Sequence, residues 1–541
     1  MNIPNVSICR PLVIQAPRCL LVFSIFGPIV AQTSPVVALT PLVETGDVVP
    51  GVGTVTRIDE FAVNDAGEWI VEVATDHPDD ERDQVVLHNG VVILREGDAL
   101  AEPPGATMAL VDVPYLDNDG GHSWRALLAG TTGILDDTAY FLNGKLLLQE
   151  DELVNAQGLV STARHGKWAA ESNRNGTTMV VTALRETGIT ADGALLRIRT
   201  NAEGDVTSNE VVVRVGDFLP GQSDPIQTID DFLQAMAIND LGDMLYVAGE
   251  AAYLNDQPIA QVGASVPGTS ASWVAINNAL DINENGNWVL RGRLDTGPGV
   301  DQIIVRDGVK LIQEGDPVPG FPLETLCSFG TLVPLFMTNS GESVWLGTYG
   351  SFLDPGVAIF ADHEPLIVQG ISTVNGMVME TVRSDSSVLA ASPSGRYVVC
   401  GAVLADGTKG AYVADRGTIA SQELRNGSGI NQRCLRGTSL PISGTTWTVE
   451  LDSTLHPGAA SAVLFGYADP LELPLSIGEL LVDLTSPQLF IRALSSLSGV
   501  DTFALSIPPN PAFLGRTAHA QAVILGGGIE LCNSIVPTIG L

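Results

Sequence analysis

The chain has 541 residues, 45% hydrophobic and 16% charged, with 57 glycines and 32 prolines, which is enough for two to four domains and excludes a disordered acidic chain. Its formal net charge is −35, and lysine occurs only at positions 145, 167, 310 and 409. A basic groove for phosphates is absent, so nucleic acid is not an expected partner, and the dense carboxylate reads first as solvating surface.

Residues 1–31 read as a secretory signal. Arg10 and Arg18 precede the apolar stretch Leu20–Val30, and Ala31 suits the cleavage position. The stretch is too short to span a bilayer. No later segment reaches eighteen apolar residues, so a secreted or cell-surface protein without a transmembrane anchor is expected.

From residue 36 a turn of the form N-x-x-G, often followed by Trp, recurs seven times. The copies are Asn64–Gly67, Asp117–Gly121, Ala163–Gly166, Asn239–Gly242, Asn283–Gly286, Thr338–Gly341 and Ser392–Gly395. Their glycines, at 67, 121, 166, 242, 286, 341 and 395, are separated by 54, 45, 76, 44, 55 and 54 residues. A period of this size signals an array of small β units. A second track, fullest as G-D-x-x-P-G, interleaves with it at Gly46-Asp47, Gly97-Asp98, Gly216-Asp217 and Gly315-Asp316, with weaker copies at Glu150, Gly263 and Gly370. The second track begins before the first turn and has no copy after the last. Such an offset has a use in a closed ring, where an N-terminal strand completes the last unit.

Within a unit the strands are legible. In the first, Trp69–Ala74, Gln84–His88 and Val91–Arg95 are apolar runs, the last two joined by Asn89-Gly90, a strong hairpin signal. The fifth unit repeats the pattern with Trp288–Arg291, Gln302–Arg306 and Val309–Gln313. With one strand before each turn a unit holds four, and four-stranded units in a ring are propeller blades. The expected fold is therefore all-β: a seven-bladed β-propeller over 36–415, closed by Val36–Val43 beside Gly410–Ala414, then a β-sandwich over 420–541. The third unit is long, with an insertion expected around Asn173–Asp205 and Asn173–Gly176 as a rival anchor. Strand candidates in the last region are Leu473–Leu475, Leu480–Leu484, Leu489–Leu494, Thr502–Ile507 and Ala520–Leu525.

Beyond the signal the chain keeps Cys327, Cys400, Cys434 and Cys532. An even number in an exported protein permits two disulfides. Three pairings exist; grouping by domain joins Cys327 to Cys400 and Cys434 to Cys532.

The NDAGEW, NENGNW and GD-x-x-PG elements resemble the secreted bacterial choice-of-anchor tandem-repeat proteins with N-x-x-G-x-W repeats, over about residues 36–415. The segments at Asn426–Gly429 and Pro508–Gln521 resemble a C-terminal β module of exported planctomycete- and myxobacterial-type proteins. That module often carries Gly-Cys where this chain has Gly478-Glu479, so no disulfide pattern transfers. The resemblance implies export and a surface role, with no catalytic residues.

Signatures of nucleophilic, zinc-protease and P-loop chemistry are missing, and the seven His show no ligand-like spacing. Carboxylates are the abundant reactive group, and a glycosidase needs a facing pair of them. The repeated Asp of the second track reads as a turn cap. Asp117 and Asp119 stand beside a glycine as calcium ligands would, and Asp76–Asp83 is denser in acid, but neither loop completes a twelve-residue calcium site and the solvated-loop reading weighs more. Trp69, Trp168 and Trp288 read as packing between units rather than sugar platforms. The reading is an exported non-catalytic binding or scaffold protein, with no cofactor beyond candidate calcium and an extracellular protein or glycan as partner. The alternative is a secreted carboxylate-dependent glycan hydrolase or lyase with its site at the propeller mouth.

Overall fold

A computed structural model of the chain describes residues 37–541 apart from 132–136, 151–159, 162–169, 186–191, 230–234, 331–332, 352–353 and 385–388. The expected signal, the Ala163–Gly166 turn and Trp168 lie outside the described residues. The fold is all-β. Among the described residues up to Asp415, seven sheets follow one another along the chain, antiparallel apart from the parallel pairing of Leu39 with Val374 in the last. The fifth is typical: Trp273–Ile282, Trp288–Leu294, Gln302–Arg306 and Val309–Gln313 pair in order as a meander. In the seventh, Leu389–Ala391, Tyr397–Leu404 and Lys409–Asp415 are joined by the N-terminal strand Leu39–Glu44, which pairs antiparallel with Lys409–Asp415.

Each sheet packs on the next. Val289 and Ile304 of the fifth sheet meet Trp345 and Phe360 of the sixth in one buried cluster. Val344 and Ile359 of the sixth meet Val398 and Tyr412 of the seventh. Val399 and Ala411 of the seventh meet Val71 and Val85 of the first, so the succession returns to its start. These strands are apolar on both faces because each sheet is covered on both sides.

The recurrent turns make a second set of links. In Asn283–Gly286, Asn283 Oδ1 accepts from the N–H groups of Asn285 (3.0 Å) and Asn287 (2.9 Å), capping its own turn. Its Nδ2 donates to the Thr338 carbonyl of the next turn at 2.7 Å. Asn239 reaches the Asn283 carbonyl, Asn173 the Asn239 carbonyl, and Asn64 the Asp117 carbonyl in the same way. The Asn339 N–H donates to Pro393 O, and the Ser394 N–H to Asp65 of the first turn. The second turn begins with Asp117, whose carboxylate has no N–H to give. The fourth turn residue is left-handed, φ +79° at Gly67 and +78° at Gly286, which glycine adopts without steric cost.

Two expectations are corrected here. The third turn is Asn173–Gly176, and Asn173–Asp205 is no insertion: it holds this turn and the long paired strands Thr177–Arg185 and Asp192–Thr200. In the second turn Gly120, with φ +83°, takes the left-handed position rather than Gly121. The Gly-Asp track marks the passage between sheets. Asp47, Asp217 and Asp316 each accept the N–H of the residue three before them.

Residues 421–538 form a five-stranded sheet of Ser421–Arg425, Ile529–Thr538, His519–Leu525, Ser461–Tyr467 and Gln488–Leu494, and a three-stranded sheet of Leu435–Gly437, Thr446–Asp452 and Val500–Ser506. Trp447, Val449 and Phe503 of the smaller sheet share a buried core with Leu464, Ala522 and Ile535 of the larger. Cys434 and Cys532 are joined as a disulfide. Cys327 and Cys400 are not joined as a disulfide, against the expected second bridge. Cys400 is wholly buried in the core between the sixth and seventh sheets, where burial pushes its thiol up to about 12. The Cys327 thiol points instead at the carbonyls of Thr325 and Gly350. Among the described residues no helix is long and apolar enough to cross a membrane.

Replacing Asn283 with Ala removes both of its roles and leaves the buried Thr338 carbonyl without this partner. We expect a loss of about 2–3 kcal/mol, read as a lowered denaturation midpoint. Asn201→Ala, which removes the cap of an exposed hairpin turn, should cost less than half as much. Equal losses would deny the link between sheets any special weight.

Candidate functional site

A channel of about 240 Å³ is lined by one inner strand from each of the seven sheets. The contributing segments lie around Phe61, Tyr115, Glu171, Met236, Asp281, Phe336 and Ala390. Most of the lining is apolar, and the carboxyl groups in it are Glu60, Glu171, Asp281 and Glu284.

The repeat explains where the reactive groups sit. The residue two before the first turn position lies on the inner strand of its sheet, and in every sheet but the fourth it is part of the lining. It is Ala62, Tyr115, Glu171, Ala237, Asp281, Phe336 and Ala390 in chain order. Three of the copies therefore bring acid–base groups to equivalent places: Tyr115, Glu171 and Asp281. Asp281 accepts the N–H groups of Ile282 (2.8 Å) and of Met337 on the next sheet (2.7 Å). Glu171 accepts the Ile238 N–H of its next sheet. Each retains partial solvent access, yet protein surrounds it. Burial pushes Asp281 up to about 7 despite its two main-chain donors. Burial, and then the charge of Asp281, hold Glu171 well above the usual carboxylate range. Burial also raises Tyr115, with Asp240 and Glu171 among the nearby charges that add to the shift.

The turn end of the channel is covered by the C-terminal domain. Asn285 Nδ2 donates to Gln422 O at 2.6 Å, and Arg433 pairs with Asp243 at 2.8 Å. Arg174 pairs with Asp240 and, at 3.0 Å, with Glu423. The Asp240 N–H donates to Glu284 at 2.8 Å. One cation thus serves three enclosed carboxylates. Burial pushes Asp240 up to about 6, and burial with the Asp240 and Glu423 charges raises Glu284 further.

Asp117 and Asp119, the calcium candidates, lie in the second turn. Asp117 Oδ1 accepts the N–H groups of Asp119 (2.8 Å) and Gly121 (2.7 Å), the geometry of a capped turn, and Asp117 is nearly buried. Asp76 accepts the Thr54 N–H at 2.6 Å. Trp69 and Trp288 pack into the cores between the first and seventh and between the fourth and fifth sheets.

No family model matches the chain, and no curated protein matches it. Solved structures that resemble it include the polysaccharide lyase Uly1, at 11% identity and TM-score 0.35 over 68% of this chain and 91% of the other. A glucose dehydrogenase resembles it at 11% identity and TM-score 0.26, over 70% and 98%. An ancestral GH74 enzyme does so at 11% identity and TM-score 0.17, over 89% and 72%. Likenesses this distant carry nothing about chemistry.

The raised Asp281 acid gives a pH signature. The folded chain keeps its proton up to about pH 7, whereas the unfolded chain releases it near ~4. Between these values the folded state binds the extra proton, so stability falls as pH rises through the window and levels off above it. Relative to Asp281→Asn, the wild type should lose about 2 kcal/mol from pH 4 to pH 7.5, the full effect being trimmed by partial solvent access. A stability difference independent of pH would refute the assignment.

Proposed function

We propose that the protein is an exported seven-bladed β-propeller that cleaves a glycan at the mouth of its channel by carboxyl acid–base chemistry. One observation carries this reading: Glu171 and Asp281 line the same channel, and the charge of Asp281 bears on Glu171. Two interacting acids in different surroundings divide the roles of acid and base. Glu171, whose proton affinity burial and the Asp281 charge both raise, is the proton donor to a leaving glycosidic oxygen. Asp281, which ionises near neutrality, is the base that takes a proton from water or from the carbon beside a uronate carboxylate. Tyr115 is a second donor for the elimination route. Propeller closure is supported by the seven sheets, by the pairing of Leu39–Glu44 with the last of them, and by the core shared by the seventh and first.

A second reading, a non-catalytic binding scaffold whose C-terminal module serves attachment, is favoured by the work these same acids do in the fold. Asp281 and Glu171 each accept a main-chain N–H from the neighbouring sheet, a task that needs no substrate.

The test is turnover of neutral and uronate polysaccharides by the chain beginning at residue 32, with reducing ends and unsaturated products measured separately. Glu171→Gln and Asp281→Asn should each lower kcat by about 100-fold or more while glycan binding persists. Binding without turnover by the wild type would sink the enzyme reading and leave the scaffold.

A further inference from the structure

Beside its core disulfide the C-terminal domain holds a buried histidine that the channel does not use. Cys434 lies just before the strand Leu435–Gly437, Cys532 lies within Ile529–Thr538, and His456 follows the short helical turn Ser453–Leu455. One potential ligand atom from each lies within 4.8 Å of those of the other two, and all three residues are buried. His456 is 3% exposed. Its Nδ1 contacts the Glu530 carboxylate, while its Nε2 is buried with no hydrogen-bond partner.

A disulfide needs no imidazole beside it, and an unsatisfied buried nitrogen is costly. A carboxylate on one ring nitrogen orients a histidine so that the other offers its lone pair, as in metal centres. We propose that Cys434, Cys532 and His456 form a redox-gated site for a thiophilic d10 cation, zinc(II) or copper(I). The disulfide is the closed form. A dithiol or phosphine reductant supplies two electrons, and with two protons the S–S bond becomes two thiols. The cation then binds the two sulfurs and His456 Nε2, releasing both thiol protons. Oxidation of the two thiolates to the disulfide returns two electrons to the oxidant and expels the cation. Two sulfurs and one nitrogen suit these soft or borderline ions rather than calcium. The inference is independent of the glycan reading of the channel.

The test uses the chain from residue 32 carrying Cys327→Ser, which removes a partly exposed thiol outside the site; Cys400 is enclosed. After phosphine reduction and anaerobic removal of the reductant, cobalt(II) is titrated. One equivalent should bind, with a thiolate-to-cobalt charge-transfer band and intense tetrahedral d–d bands, both abolished by zinc(II). The oxidised protein should show neither band. His456→Ala should weaken cobalt binding at least tenfold and shift the d–d bands while still forming the disulfide when oxidised. Glu530→Gln should weaken binding by about tenfold. Absence of thiolate–cobalt bands in reduced protein that circular dichroism shows to be folded would overturn the proposal. So would unchanged affinity and spectrum in His456→Ala. If reduction alone unfolds the domain, zinc(II) added during refolding of the reduced chain must restore it; failure to do so also overturns the proposal.

Discussion

The structure depends on the turn asparagine that makes bonds in two directions. Its carbonyl oxygen caps its own turn, and its amide nitrogen ties that turn to the next sheet. Asn64, Asn173, Asn239 and Asn283 all do this from buried positions. Only a short side chain carrying both acceptor and donor can serve both ends at once. Where the first residue is Asp117, Thr338 or Ser392, that amide donor is missing. Asn339 and Ser394, one and two places further on, then make the link to the following turn with their main-chain N–H groups.

This linkage positions the candidate site. Because the turns are held edge to edge, the residues just before them are brought around one narrow channel. An acid placed there is surrounded by protein and accepts a neighbour's main-chain N–H, as Asp281 and Glu171 do. Burial raises its proton affinity, against the accepted N–H, which lowers it. Structural and chemical roles therefore fall on the same side chains, and measurement of turnover separates them. The C-terminal domain lies on the turns: Gln422 bonds Asn285 and Asn339, and the Arg174, Asp240, Glu284 and Glu423 cluster ties the two together.

Much of this order is legible in the chain. Asn and Gly at the turns, Asp in the second track and the alternating apolar runs predict the strands of the first and fifth units, and the offset of the two tracks predicts the partner of the N-terminal strand. Where the reading slips, the cause is identifiable. ARHG at Ala163 matches the turn pattern in sequence but lies outside the described residues, and choosing it over Asn173 hides Glu171, two places before the Asn173 turn. DNDGG offers two glycines, and hydrogen bonding selects Gly120. Cys327 and Cys400 share a domain in sequence, but lie in different local surroundings and do not meet.

By itself the sequence determined the all-β class, the repeat, the turn chemistry and the separate C-terminal region, because these follow from local backbone preference and from apolar periodicity. Only the tertiary structure decided which of 62 acidic residues share an enclosure, which cysteines meet, and which end of the channel is covered. Those facts rest on contacts between residues far apart in the chain, such as Arg174 with Glu423 and His456 with Glu530. Local pattern says nothing about burial created by distant segments, and burial is what sets the proton affinity of Asp281 and Glu171 and leaves His456 Nε2 without a partner.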